Sequence, residues 1–179
     1  MVKKIIAICG SDRKNSYNQY LINFIKAKTT SFFQLQSLPI NQLPFLTDSP
    51  TDNQLIEINY VKQNIADASG IIIATTEING GVPANIKNLL DWCSIQEGLL
   101  TNKPIMLLGA SLGLTGTILA QQYLRQMLTS SPIDSKLTHK ITCYVANAKD
   151  KFTDNGELTD EQTKKIVINL IEEFKVLLK

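Results

Sequence analysis

A chain of 179 residues with 18 Lys plus Arg against 16 Asp plus Glu carries a formal charge of +2. Apolar residues make up 44% and charged residues 19%, which excludes a disordered polymer and leaves ample material for a core in one domain over residues 1–179. So even a charge balance excludes the field that drives non-specific nucleic-acid binding, while leaving room for a local anion site.

The first element is a short Ile-rich run, Lys4 to Cys9, ended by Gly10-Ser11, and it reads as a buried strand. Its apolar part is shorter than the ~7–15 residues of a signal-peptide core. No other stretch approaches the ~18 apolar residues that span a bilayer. A soluble, cytoplasmic protein with no membrane partner is the expectation. Cys9, Cys93 and Cys143 each sit in an apolar run; their number and spacing fit buried free thiols rather than a disulfide scaffold or a zinc site.

A helix follows from Ser16, which caps it, with Gln19 at the capping-box position and Leu21, Ile22, Phe24 and Ile25 on its apolar side. Ser31 to Leu38 reads as an edge strand because Gln34 and Gln36 alternate with apolar residues. Pro39 to Asp52 is a long loop with three prolines, a length often tied to function. Thr51 or Asp52 caps the next helix, roughly Asn53 to Ala68. Gly70 to Thr75 is a strand whose unbroken Ile run implies cover on both faces. Pro83 suits a first helical position, and Ile86, Leu89, Leu90 and Cys93 recur at helical spacing.

Lys103 to Ala110 is a fourth strand, and Ala120, Leu124, Met127 and Leu128 mark the next helix. His139 to Ala148 reads as a fifth strand from the alternation of Ile141, Cys143 and Val145. Thr159 is the expected cap of a last helix, with Val167, Leu170, Ile171, Phe174 and Leu178 as its buried stripe. Five strands alternating with five helices make an α/β three-layer sandwich. With right-handed crossovers, the simplest five-stranded parallel sheet has the flavodoxin-like order 2-1-3-4-5.

Ligands of such sheets bind beyond the carboxyl ends of the strands, where the order reverses, here between strands one and three. The loop Gly10 to Asn18 offers Ser11, Ser16 and Asn18 as polar groups, Arg13 and Lys14 as cations, and the free N–H groups of a helix start. That combination suits a phosphate. It is neither a Walker A loop nor G-x-G-x-x-G, so a mononucleotide fits better than a dinucleotide. The loop Thr76 to Pro83 holds Gly80-Gly81, where backbone can approach a flat heterocycle, with Asn79 to orient it and amides from Ile78 to Gly81 to meet its edge. Glu77 has no partner carboxylate nearby in sequence and reads as loop-orienting. Ser111 lies in a third small-residue loop, outside any hydrolase motif. The lone His139 reads as a surface or capping residue, and no metal site is indicated.

These segments resemble the NADPH-dependent FMN reductase family. The resemblance lies in Gly10-Ser11-x-Arg13-x-x-Ser16-x-Asn18, and in Glu77-x-Asn79-Gly80-x-x-Pro83-x-x-x-Lys87-Asn88-x-x-Asp91-Trp92. It extends to Gly109-Ala110-Ser111 and to Asp154-x-x-Gly156-x-Leu158-Thr159-Asp160. It implies FMN as cofactor, with Ser11, Arg13, Ser16, Tyr17 and Asn18 around the phosphate. Thr76, Glu77, Ile78, Asn79 and Gly80 would lie along the isoalloxazine, with Ser111 nearby. It implies NADPH or NADH as donor, a small-molecule electron acceptor (flavin, quinone, azo compound or similar), and a homodimer or homotetramer. The flavin would mediate the reaction without a dedicated catalytic acid or base. A flavin-binding electron carrier or non-catalytic sensor is the alternative. The family often carries Pro-Glu-Tyr-Asn where this chain has Thr76-Glu77-Ile78-Asn79, which removes an aromatic wall and a hydroxyl.

Overall fold

The computed structural model describes residues 2–179. Its strands are β1 (Lys3–Cys9), β2 (Phe33–Ser37), β3 (Gly70–Thr75), β4 (Pro104–Ala110), β5 (Lys136–Leu137) and β6 (Tyr144–Val145). Every pairing is parallel, in the order β2-β1-β3-β4-β5, with β6 also on β4. This is the flavodoxin-like 2-1-3-4-5 arrangement, and the reversal falls between β1 and β3.

The helices are α1 (Tyr17–Thr29), α2 (Asp52–Asp67), α3 (Ala84–Ser94), α4 (Ile118–Thr129) and α5 (Glu161–Leu177). Parity along the strands decides which face each helix covers. Ile6, Ile8, Ile71, Ile73, Ile105 and Leu107 pack with apolar residues of α2, α3 and α4. Ile5, Ala7, Ile72, Ala74, Met106 and Leu108 pack with those of α1 and α5. The central strands are thus buried on both faces, which is why their sequences are nearly uniform Ile, Leu and Ala rather than alternating. No helix among the described residues is long and apolar enough to cross a membrane.

The fifth strand departs from the expected span His139–Ala148. The sheet position beside β4 is filled by two short pieces, with 138–143 looping between them. Thr138 N–H still reaches the Ile105 carbonyl at 3.0 Å, and Gly109 N–H reaches that of Cys143 at 3.1 Å. The N–H groups of His139, Lys140 and Ile141 instead donate to the Glu173 carboxylate of α5, at 2.7, 2.9 and 3.0 Å. A side chain on a neighbouring helix therefore replaces ladder bonds the strand would have made. Cys143 and Val145 are buried as their alternation implied; burial pattern and strand pairing part company here.

Two helix starts also shift, and a third keeps its expected cap but not its full capping box. Thr159 is held by Lys151 through its N–H (2.9 Å) and hydroxyl (3.1 Å), so Asp160 caps α5, accepting from Thr163 N–H at 2.7 Å. Pro83 is the cap residue of α3 rather than its first helical residue. Ser16 caps α1 by accepting from Gln19 N–H at 3.4 Å, but the Gln19 amide turns to Asn23, leaving half a capping box. The full box is at α2, where Thr51 and Gln54 exchange bonds of 3.4 and 2.9 Å.

Candidate functional site

At the carboxyl end of the sheet, the chain leaves β1 and β3 in opposite directions and opens a cleft of about 870 Å³, within the range of small-molecule sites. The loops after β1, β2, β3 and β4 all contribute to it. Gly109, near the end of β4, lets β3 and the start of α4 close up on that strand, since a Cβ there would come within 2.5 Å of both the Thr117 hydroxyl and the Thr75 carbonyl.

One end of the cleft is the loop into α1. Ser11, Arg13, Ser16, Tyr17 and Asn18 all line it. Ser11 Oγ accepts from Arg13 N–H at 3.4 Å, which folds the loop back on itself. The Ser16 hydroxyl occupies the Gln19 N–H, so Tyr17 and Asn18 are left with first-turn N–H groups that have no intrahelical partner. Arg13 is exposed and makes no ion pair among the described residues. Free helix N–H groups, a hydroxyl and an uncommitted guanidinium make a donor set that fits a phosphate dianion. Asn18 behaves differently. Its amide donates to the Ala110 carbonyl (3.1 Å) and accepts from the Ala110 N–H (2.8 Å). This buried two-bond clamp fastens α1 to the end of β4. The Tyr17 ring is itself wedged against Tyr20 and Phe152.

The other end is the turn after β3. Ile78 and Gly81 exchange N–H···O=C bonds of 3.1 and 2.9 Å, and Asn79 and Gly80 between them have φ of 50° and 71°. Two left-handed central residues are what an Asn-Gly corner of this kind requires. The Ile78 and Gly81 amides are thus consumed by the turn, and Asn79 and Gly80 keep theirs. Thr76, Glu77 and Ile78 line the cleft, whereas Asn79 and Gly80 form the corner beyond its wall. Glu77 is engaged: one carboxylate oxygen accepts from the N–H groups of Leu119 (2.9 Å) and Ala120 (3.1 Å), the other from the Thr115 hydroxyl (3.4 Å). It caps α4 from another loop. The residue in the cap position, Thr117, is held at φ 74° and supplies no side-chain cap bond.

Sequence reasoning did not foresee how the proline-rich loop would be used. Ile40, Asn41, Leu43 and Phe45 form a wall of the cleft, pinned by two buried side chains of α3. The Asn88 amide donates to the carbonyls of Leu43 (3.1 Å) and Pro44 (2.9 Å) and accepts from Leu46 N–H (3.1 Å). Trp92 donates to the Pro44 carbonyl at 2.7 Å. The loop's length was a signal; its partners, more than 40 residues away, left none.

Ser111 lines the cleft at its β4 side, its N–H bonded to Val145 and its hydroxyl to the Gly113 carbonyl. The side chain of His139 is exposed. Cys93 and Cys143 are buried, and burial pushes each thiol up to about 12. Among the described residues no three His, Cys, Asp or Glu side chains are grouped to hold a metal.

The family model for NADPH-dependent FMN reductase matches residues 3–148. The NADH:(hydroxy)cinnamate reductase subunit CrdA of Vibrio ruber is 31% identical over 169 residues, covering 94% of this chain and 84% of that protein. A 2-hydroxy-1,4-benzoquinone reductase of a Burkholderia species is 31% identical over 177 residues, covering 97% and 95%. Among solved structures, FerB of Paracoccus denitrificans, a flavoenzyme NAD(P)H:(acceptor) oxidoreductase, is similar with a TM-score of 0.85 at 25% identity, over 99% of this chain and 97% of that one.

Proposed function

The chain belongs to the NADPH-dependent FMN reductase family, and on that premise we propose that this cleft is where it passes two electrons from NAD(P)H, through FMN, to a small acceptor. The protein is an oxidoreductase with FMN as cofactor and NAD(P)H as donor. FMN, when bound, supplies the redox chemistry, and the chain supplies position and electrostatics. The Arg13 guanidinium, the Ser11 hydroxyl and the first-turn amides of α1 hold the phosphate. Thr76, Glu77, Ile78 and Ser111 flank the ring, and the Asn79-Gly80 corner sets the course of the turn that carries them rather than meeting the ring. No side chain acts as a dedicated acid or base.

The observation that carries this reading is the uncommitted donor set at the α1 terminus, opening onto a cleft at the sheet's switch point. It is tested by anaerobic titration. The protein is loaded with FMN, stripped of free flavin and mixed with NADPH or NADH while visible absorbance is followed. Bleaching of bound flavin is expected. Protein that emerges colourless overturns the phosphate assignment, and flavin that stays bound but unreduced favours an electron carrier or sensor.

The reading takes residues 1–179 as one domain, supported by a single sheet flanked by helices on both faces. A cytoplasmic location is supported by three cysteines that are all free. A homodimer or homotetramer is supported by an exposed apolar strip, Leu112, Leu114, Leu119 and Tyr123, running from the cleft mouth along α4. Sedimentation equilibrium of wild type and Leu114→Glu checks this: assembly in the first and weakened assembly in the second are expected, and a monomeric wild type removes it.

A further inference from the structure

We propose that Asn88 is a positioning residue for the flavin, acting through the loop after β2 to fix one wall of the cleft before FMN arrives; this rests on the FMN reading above. Residues 39–50 form no helix or strand, yet Ile40, Asn41, Leu43 and Phe45 line the cleft. An irregular segment of this length has many conformations, and ordering it when a ligand binds would cost affinity. A wall that contributes to binding has to be ordered in advance.

The loop does not order itself. Among the described residues, the backbone–backbone bond within 39–50 is that of Leu43 N–H to the Ile40 carbonyl, at 3.2 Å. Four hydrogen bonds tie the loop to the rest of the chain, and α3 makes all four. Trp92 makes one, to the Pro44 carbonyl at 2.7 Å. Asn88 makes the other three. Its amide nitrogen donates to the carbonyls of Leu43 (3.1 Å) and Pro44 (2.9 Å), and its oxygen accepts from Leu46 N–H (3.1 Å). One side chain thus grips backbone on both sides of Phe45, whose own ring is 76% exposed. Ile40 and Leu43 also pack into the core beside α2 and α3. That burial tethers the loop, but apolar contact is non-directional, whereas the three bonds fix its course.

The anchor is itself rigid. Asn88 is buried at 5% exposure, so water does not compete for its bonds. Ile86 and Leu89, on the same helix, are in the core. A Cβ at Gly10 would come within 2.7 Å of Ile86 Cδ1, so α3 lies close against the end of β1. The start of that helix, Pro83, Ala84 and Asn85, lines the cleft directly. One helix therefore supplies part of the cleft and holds the neighbouring wall in register with it. The phosphate donors lie in the loop into α1 and the ring-flanking residues in the loops after β3 and β4; Asn88 adds the remaining side.

The test is FMN affinity, by fluorescence titration of the flavin-free protein, in wild type, Asn88→Ala, Asn88→Asp and Glu173→Gln. Asn88→Ala should raise Kd about tenfold, the scale of losing a preorganised set of bonds. Glu173→Gln weakens the hold on three N–H groups on the opposite face of the sheet and should leave Kd unchanged. Asn88→Asp separates bonding from bulk. When ionised, the new carboxyl repels the Leu43 and Pro44 carbonyls; when protonated, it donates to one of them and still accepts from Leu46. Its Kd relative to wild type should therefore fall on acidification from about pH 9 to about pH 5, while the ratio for Asn88→Ala stays constant. A second readout needs no flavin. Chymotrypsin cuts after Phe45 when the loop opens locally, so fragment masses should show faster nicking there in Asn88→Ala than in wild type. An unchanged Kd in Asn88→Ala, an equal loss in Glu173→Gln, a pH-independent ratio in Asn88→Asp or equal nicking overturns the proposal. If Asn88→Ala does not fold, Asn88→Asp carries both readouts. A wild type that binds no FMN overturns the flavin reading instead, and the nicking rates still decide whether Asn88 holds the loop.

Discussion

Arg13 and Asn18 lie five positions apart and do different work. Arg13 is exposed and makes no ion pair among the described residues, so its charge is available to a ligand. Asn18 is buried and bonded in both directions to Ala110, so its first duty is to hold α1 on the sheet. Replacing Arg13 with Ala removes a charge-assisted contact worth about 1.5–3 kcal/mol, or roughly 10–100-fold in affinity. Fluorescence titration of FMN should show its Kd raised on that scale, with the fold unchanged by circular dichroism. An unaltered Kd would remove Arg13 from the phosphate site. The loop was legible in sequence because polar small residues before a helix start have few other uses. Which of them face the ligand was not, because that depends on what the end of β4 demands of Asn18.

Helix α4 takes its side-chain cap from outside its own sequence. Thr117 is left-handed and its hydroxyl accepts from the Gln121 side-chain amide rather than from a backbone N–H of the first turn, and Glu77 supplies the cap from the turn after β3. A carboxylate at a helix N-terminus also meets the positive end of the helix dipole. The same side chain thus stabilises α4 and fixes the cleft wall that Thr76 and Ile78 share. Glu77→Ala should lower stability by about 0.5–2 kcal/mol, the range for lost caps, and should weaken FMN binding as the turn loosens. Urea denaturation and FMN titration check the two effects. A stability loss with an unchanged Kd would confine Glu77 to a structural role. The expectation that Glu77 orients its loop came from a lack of neighbouring carboxylates. Its actual acceptor duty joins residues 42 and 43 positions apart.

Across the whole molecule, acid stability depends on where carboxylates serve as backbone acceptors. Burial pushes the Glu173 pKa up, but the N–H groups of Lys140, His139 and Ile141 pull harder, and it lies below its ordinary 4.5. Hydrogen bonds from Thr163 likewise hold Asp160 below its ordinary 3.8. A group depressed in the folded state stabilises fully above its unfolded pKa and loses that contribution as pH falls through the folded value. Glu173→Gln should therefore be less stable than wild type at neutral pH, because a neutral amide is a weaker acceptor for three N–H groups. The gap should narrow below about pH 4. Denaturant midpoints across that range check this, and a gap independent of pH would show that the charge of Glu173 contributes nothing.

The β-strand cores, their two-sided burial and the 2-1-3-4-5 order follow from the sequence alone, because unbroken Ile runs between amphipathic helices have one economical packing and crossovers have one hand. The first loop's suitability for a phosphate follows too, since it depends on neighbours along the chain. The tertiary structure alone decided the split fifth strand, the capping of α4 by Glu77, the clamp of Asn18 and the anchored wall that presents Phe45. Each joins a side chain to backbone groups more than 30 residues away. Such a bond satisfies a buried polar group wherever the fold brings one, and it leaves no periodicity in the sequence from which it can be read.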